Sequence, residues 1–431
     1  MLSYICGSKE EAFMEVKTGK RQNRFTLILL LGLLSAIGPF SIDMYLPGFP
    51  AIAGDLETSV DMVSYSLSSF FIGICIGQMV CGPLLDRYGR KRPLYGGLIL
   101  YILSSIGCAL AQTIEVLIAF RLLQAFGGCV GMVAPRAIVR DIFPVNENAK
   151  IFSLLILVLG VSPIIAPTAG SFIIANYGWH AVFVVLAIVT LLIFIAVIFL
   201  LPESKQPDPS FSLRPAPIMN GFLHVAKDPQ FMTYAMSGGM VSAGLFAYLA
   251  GSPFVFMEIY GVSEQEYGWI FALIAAGLIT SSQLNNLMLK KFSSESIIKS
   301  TLWIQTLAGL VLVLGVWQNW FGLTGIIICI AVFLSCQGFS FPNSSALSMA
   351  PFTKEAGTAS ALMGALQMAL GALASAAVGL FSNGTAIPLA GVMAGCAMIA
   401  IAILYLGRRR ITRRCRQVDI EEQRLDQLEK F

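Results

Sequence analysis

Two ionisable side chains stand inside long apolar stretches of the chain. Asp43 lies in Ser41–Ile42–Asp43–Met44–Tyr45–Leu46–Pro47, and Arg121 lies in Leu117–Ile118–Ala119–Phe120–Arg121–Leu122–Leu123–Gln124. A charge centred in hydrocarbon costs about 2.5–3.5 kcal/mol on insertion scales. Each is therefore expected to face a cavity or a partner rather than lipid. Asp43 sits toward the outer end of its stretch. A carboxyl there can take up and release a proton as a cavity opens to either side, because burial makes the charged form costly. The alternative is an interfacial carboxylate that caps or orients a helix end. For Arg121 the alternative is a side chain that snorkels to water. Gln124 falls one turn later on the same helix face.

A third group lies outside the apolar stretches. Gly82–Pro83–Leu84–Leu85–Asp86–Arg87–Tyr88–Gly89–Arg90–Lys91 follows the second of them. Its glycines permit a tight turn and close helix approach. Asp86 can pair with the basic cluster and lock one conformation. Tyr45, Tyr65, Phe70, Gln78, Tyr248, Phe254, Gln305, Gln337, Asn343 and Gln367 are candidates to line a mostly apolar cavity with a few polar anchors. No Cys/His spacing suggests a metal, and no cofactor is expected. The cysteines read as small apolar fillers.

The elements that must position these residues follow from composition. Of 431 residues, 56% are hydrophobic and 12% charged, with a mean hydropathy of +0.78. A soluble domain carries about 25% charged residues. Twelve apolar stretches of about 20 residues each are long enough to cross a bilayer as helices. They run near 25–47, 62–83, 93–112, 114–136, 150–174, 180–201, 231–256, 267–289, 296–316, 321–345, 356–380 and 384–406. Twelve crossings put both termini on one side. All of the 28 basic residues except Arg121 then fall on that side, while the opposite connectors carry Asp55, Glu57, Asp61, Glu115, Glu258, Glu264 and Glu266. The positive-inside rule makes the basic side cytoplasmic. The net charge of +4 is thus orientation, not a nucleic-acid footprint. The first apolar run is too long for a signal-peptide core.

The expected organisation is a cytoplasmic tail at 1–24, a six-helix bundle at 25–201, a proline-rich cytoplasmic linker at 202–230, a second bundle at 231–407 and a tail at 408–431. The linker reads as a tether that lets two halves rock. The tail reads as a basic segment, with a short surface helix against anionic lipid.

These motifs resemble a known family. The Gly82–Lys91 stretch looks like the gating motif of the major facilitator superfamily. Leu117, Arg121 and Gln124 followed by Gly127–Gly128 are similar to its fourth-span motif. Ser162–Pro163–Ile164–Ile165–Ala166–Pro167–Thr168–Ala169–Gly170 resembles the fifth-span motif of its antiporters, with two glycine positions changed and the bending prolines Pro163 and Pro167 kept. Asp43–Met44–Tyr45–Leu46–Pro47 with Pro50, Arg140–Asp141, Pro342–Asn343, and Gly357–Thr358–Ala359–Ser360–Ala361 with Gln367 look like the bicyclomycin/chloramphenicol-resistance-type (Bcr/CflA) drug transporters. The resemblance implies twelve transmembrane helices in two pseudo-symmetric bundles and proton-driven efflux of hydrophobic small molecules across the cytoplasmic membrane. It makes Asp43 and Arg121 candidates for proton coupling, and Gly82, Asp86, Arg87, Gly89, Arg90 and Lys91 the gate. The corresponding second-half stretch, Lys290–Lys291–Phe292–Ser293–Ser294, lacks the glycines and the aspartate.

The expected partners are a hydrophobic substrate, protons and the lipid bilayer, with no nucleic acid, and the protein is expected to act as a monomer. An exporter or importer of a specific metabolite or siderophore remains the alternative. Neither an ATP-binding GxxxxGK[ST] motif, nor a selectivity filter, nor paired carboxylates for an intramembrane enzyme is visible.

Overall fold

The computed structural model describes residues 24–143, 145–208, 215–352 and 356–428. The N-terminal tail up to Asn23, Arg214 and Lys354 lie outside the described residues, as do the side chains of Arg140 and Lys150 and those beyond Thr412. The described chain is helical throughout its membrane-length elements. In order these are α1 (Arg24–Asp43), the short α2 (Phe49–Asp55), α3 (Val60–Tyr88), α4 (Lys91–Ala109), α5 (Ile114–Ile142), α6 (Val145–Tyr177) and α7 (His180–Leu200). A short α8 (Pro215–Ala226) precedes α9 (Pro229–Pro253), α10 (Glu264–Met288), α11 (Ser294–Trp317), α12 (Leu323–Met349), α13 (Ala356–Leu380) and α14 (Ile387–Leu428). Ten of the helices are both long and apolar enough to cross a membrane among the described residues. The remaining two of membrane length are α4 and α6; the 19 residues of α4 reach about 28 Å at 1.5 Å each.

Local chemistry sets the boundaries. Ser59, Thr113 and Ser293 cap α3, α5 and α11 by accepting from the backbone N–H three residues on, which satisfies a donor left open by the first turn. Three expectations change. The first stretch is not one helix: α1 stops at Asp43, a 3₁₀ turn covers Leu46–Gly48, and α2 follows. Pro47 has no N–H to give the Asp43 carbonyl, so the α-helical ladder ends there. The linker is not only a tether, because Pro215–Ala226 is a helix. Its prolines sit in the first turn, where they are tolerated, and it buries Phe222 and Val225. The helix α14 also continues well past the expected end of its span, to Leu428.

The exposed surface is apolar. Leu103, Phe172, Leu192, Phe199, Leu273 and Leu373 are all more than half exposed, as expected where the solvent is lipid. Polar side chains turn inward instead.

The chain divides into two compact units. The first holds α1–α7 together with Leu249–Ala276 and Val378–Thr385. Its helices approach closely over small residues: a Cβ on Gly127 of α5 would stand 2.7 Å from both the Gly97 carbonyl and the Tyr101 nitrogen of α4. In this unit Ser171 of α6 donates to the Glu264 carbonyl at 2.9 Å. The second unit holds α8, most of α9 and the remainder of α10–α14. Val225 of α8 packs with Phe231, Ala235 and Ala359. Across α11 and α12 the hydroxyls of Thr301 and Ser340 lie 2.6 Å apart.

Candidate functional site

Arg121 is wholly buried in the first unit. Its Nη1 donates to Gln124 Oε1 at 2.7 Å and its Nη2 to the Ser41 carbonyl at 3.0 Å. Gln124 in turn donates through Nε2 to Ser105 Oγ at 2.8 Å, and the Ser41 hydroxyl meets the Tyr101 hydroxyl. The guanidinium carbon stands 4.2 Å from the centre of the Tyr45 ring and 4.1 Å from that of Phe70, with Phe183 at 5.8 Å. Bonds from a charged donor contribute about 1.5–3 kcal/mol each, and a desolvated cation over a ring about 2 kcal/mol. Together they offset a cost of several kcal/mol for holding the ion away from water. Only Nε lacks a hydrogen-bond partner. The centre ties α1, α3, α4, α5 and α7 together around one cation, and no snorkelling occurs.

Asp43 is also buried, at 5% exposure, but is built differently. Ser41 and Tyr45 meet Arg121, so Asp43 between them points elsewhere. Among the described residues no ion pair or hydrogen bond reaches its carboxylate. Its electrostatic neighbour is Tyr267 of α10, whose hydroxyl bonds the Ser252 hydroxyl at 2.9 Å. Gly170 of α6 leaves room beside it, because a Cβ there would collide with the Met44 carbonyl. Pro163 and Pro167 lie inside a continuous α6, and Thr168 and Ser171 turn their hydroxyls back onto the Ile164 and Pro167 carbonyls.

The Gly82–Lys91 stretch is mostly helix. The ladder of α3 continues through Gly82 and Pro83 to Tyr88, so the turn is confined to Gly89 and Arg90. Gly82 faces open space and allows no close approach. Gly89 does need to be glycine, with φ at +82°. Arg90 is the hub: Nε donates to Asp141 Oδ2 at 2.7 Å and Nη1 to Asp86 Oδ1 at 3.2 Å. Burial works against the Arg90 charge, but the Asp141 and Asp86 carboxylates more than offset it and hold its pKa above the ordinary value. Arg87 lies against the Tyr88 ring. Lys91 Nζ reaches the Ile198 carbonyl at 3.3 Å.

Sequence reasoning missed Glu203 here. Its carboxylate accepts from the Arg90 and Lys91 nitrogens at 2.7 and 3.1 Å, an anion at the N-terminus of α4. It is remote in sequence, and only its position just after an apolar run, in Leu201–Pro202–Glu203, hinted at a terminus.

The cavity candidates separate into groups. Tyr45 and Gln124 are absorbed by the Arg121 centre. Asn343 is buried and bonded to Asn285 Oδ1 at 2.7 Å. Tyr248 is buried. Among the described residues, buried Gln337 has no partner for Oε1, and Gln305 has none for either amide atom. Gln367 is part-exposed and donates to Ser242 Oγ at 3.2 Å, and Gln78 is part-exposed.

Long apolar helices, inward-facing polar centres and a charged junction define a polytopic helical membrane protein. The sequence model described as "Major Facilitator Superfamily" matches residues 31–376. The chain is 35% identical over 400 residues to the uncharacterized MFS-type transporter YdgK of Bacillus subtilis, covering 91% of this chain and 98% of that protein. It is 31% identical to a bicyclomycin resistance protein homolog of Haemophilus influenzae, covering 90% and 97%. It is 30% identical to the multidrug resistance protein MdtL of Escherichia coli, covering 88% and 93%. Among solved structures, a bacterial homolog of the human lysosomal transporter Spinster superposes with a TM-score of 0.71 at 16% identity, covering 90% and 97%. A D-xylose-proton symporter superposes with 0.68 at 15% identity, covering 88% and 97%. The chain belongs to the Major Facilitator Superfamily, and its fold is that superfamily's twelve transmembrane helices in two six-helix bundles.

Proposed function

We propose that the chain exports hydrophobic small molecules, drugs among them, across the bacterial cytoplasmic membrane in exchange for protons. The names carried by the H. influenzae and E. coli relatives support the substrate class. The observation that carries proton coupling is Asp43: a carboxyl out of water, with no basic side chain bound to it, beside Tyr267 of α10. A carboxyl so placed can bind a proton from one side and release it to the other as its surroundings change. Proton entry supplies about 2.3 kcal/mol per charge per 100 mV of potential. Arg121 is held by Gln124, the Ser41 carbonyl and three rings; its role is to hold the helices that carry Asp43. The basic junctions and both termini lie in the cytoplasm by the positive-inside rule. Residues 25–201 and 231–407 are the two working bundles, 202–230 the linker, and 1–24 and 408–431 the tails. The protein acts as a monomer.

The test is a panel of hydrophobic antibiotics and dyes in an efflux-deficient bacterial host. Expression is expected to raise tolerance and lower accumulation for at least one compound, and an uncoupler to erase the difference. Unchanged accumulation across the panel contradicts the substrate class. An uncoupler-insensitive difference contradicts proton coupling.

A further inference from the structure

The start of the linker is bound, residue after residue, to the charged junction between α3 and α4. Glu203 caps α4 through the Arg90 and Lys91 nitrogens. Ser204 Oγ donates to Asp141 Oδ2 at 3.1 Å. Lys205 Nζ donates to Asp86 Oδ1 at 2.7 Å. The Asp208 nitrogen donates to the Arg87 carbonyl at 3.0 Å. The strand of chain lies over Gly89 so closely that a Cβ there would stand 3.0 Å from the Lys205 carbonyl and 3.1 Å from Glu203 Oε2.

Asp86 thus has two cations on the same oxygen, and they are unequal. Arg90 is 6% exposed in its side chain and is also held by Asp141. Lys205 is 35% exposed; Asp86 is its one ion-pair partner among the described residues. An exposed pair of this kind is weak and screened by salt. Arg90 is therefore the permanent partner and Lys205 the replaceable one.

We propose that residues Glu203–Asp208 form a strap over the charged junction, in which Lys205 is a releasable counter-ion for Asp86. While Lys205 is engaged, Asp86 Oδ1 holds two cations; when Lys205 leaves, Asp86 keeps Arg90 and can take up a second partner in its place. The linker continues into α8, which packs against Phe231, Ala235 and Ala359 through Val225. Lys205 is a positioning residue for the gate. Its part in transport rests on the exporter reading above; the strap itself does not.

The test is backbone hydrogen exchange of the full chain in nanodiscs, followed over 86–92 and 203–208. Lys205→Met is expected to speed exchange of the Asp208 amide about tenfold, and that of the Arg90 and Lys91 amides only about twofold, since Glu203 still holds them. Lys205→Arg restores the native rates. Raising salt from about 0.05 to about 0.5 M mimics Lys205→Met in the native chain and adds nothing in the variant. Native rates in Lys205→Met, or an Arg variant that behaves like the Met variant, overturn the strap. Turnover in vesicles is read in parallel: a change of about threefold in Lys205→Met, reversed in Lys205→Arg, is expected of a gate element. Loosened exchange with unchanged turnover overturns the gate role and leaves the exporter reading standing. Absence of gradient-driven transport in the native chain sinks the exporter reading, and hydrogen exchange alone still decides the strap.

Discussion

Arg121 and Asp43 sit in the same unit, both buried, both reached from the end of α1, and they are supported in opposite ways. Arg121 has two charge-assisted bonds and three rings around it. Asp43 has a tyrosine for an electrostatic neighbour and, among the described residues, no bound cation. A permanently charged group needs a complete set of partners to stay in a low-dielectric interior. A group that changes charge needs surroundings that do not commit it to either form. On this difference rests the proposal that Arg121 locks the bundle while Asp43 carries the proton.

This contrast can be broken at several points. Arg121→Met removes the hub, leaves Gln124 and the Ser41 carbonyl without their donor, and opens a void. A loss of about 2–5 kcal/mol is expected, read as a lower midpoint of thermal unfolding in detergent and as reduced membrane abundance. Native stability in this variant means that the centre locks nothing. Gln124→Leu strips Arg121 Nη1 of its acceptor and Ser105 of its donor, with about 1–3 kcal/mol expected in the same measurement. Tyr45→Phe keeps the ring over the guanidinium and loses the hydroxyl's 3.2 Å contact to Ser66 and its interaction with Arg121, so about 0.5–1.5 kcal/mol is expected. A Tyr45→Phe effect as large as that of Arg121→Met places the weight on the hydroxyl instead of the ring. Asp86→Asn is expected to slow turnover with little change in stability or substrate affinity, because Asp141 still holds Arg90. Collapsed binding with preserved turnover removes Asp86 from the gate.

The fold was legible because every long apolar run has one physical solution in lipid, and the charge partition fixed an even count. Arg121 and Asp43 were legible for the same reason: a charge within an apolar run stands out. Their separate surroundings were not. Whether residues 41, 43 and 45 share a face depends on where α1 ends, and that end is set by Pro47 acting back on the Asp43 carbonyl. Glu203, Ser204 and Lys205 were illegible as parts of the junction because their partners are more than 60 residues away and a polar linker has no periodicity to betray a bound conformation. Gly82 makes no close approach because it lies inside α3, which runs on to Tyr88, on a side where no neighbouring atom stands.

The same limits apply to the second junction. Lys290, Lys291 and Phe292 are exposed, and no aspartate stands there. The ion pair nearby is Glu295 with Arg408 at 2.7 Å, joined by Tyr234 at 3.0 Å, drawn from three separate helices. No spacing within the loop itself announces it.

Asp43→Asn in proteoliposomes tests the central claim most directly, using a compound identified by the growth panel. Two rates are compared: accumulation driven by a pH gradient, and one-for-one exchange of labelled for unlabelled compound without one. The account predicts that gradient-driven accumulation falls to background while exchange and thermal stability persist. Accumulation at the native level in Asp43→Asn would contradict it, and the proton would have to ride elsewhere.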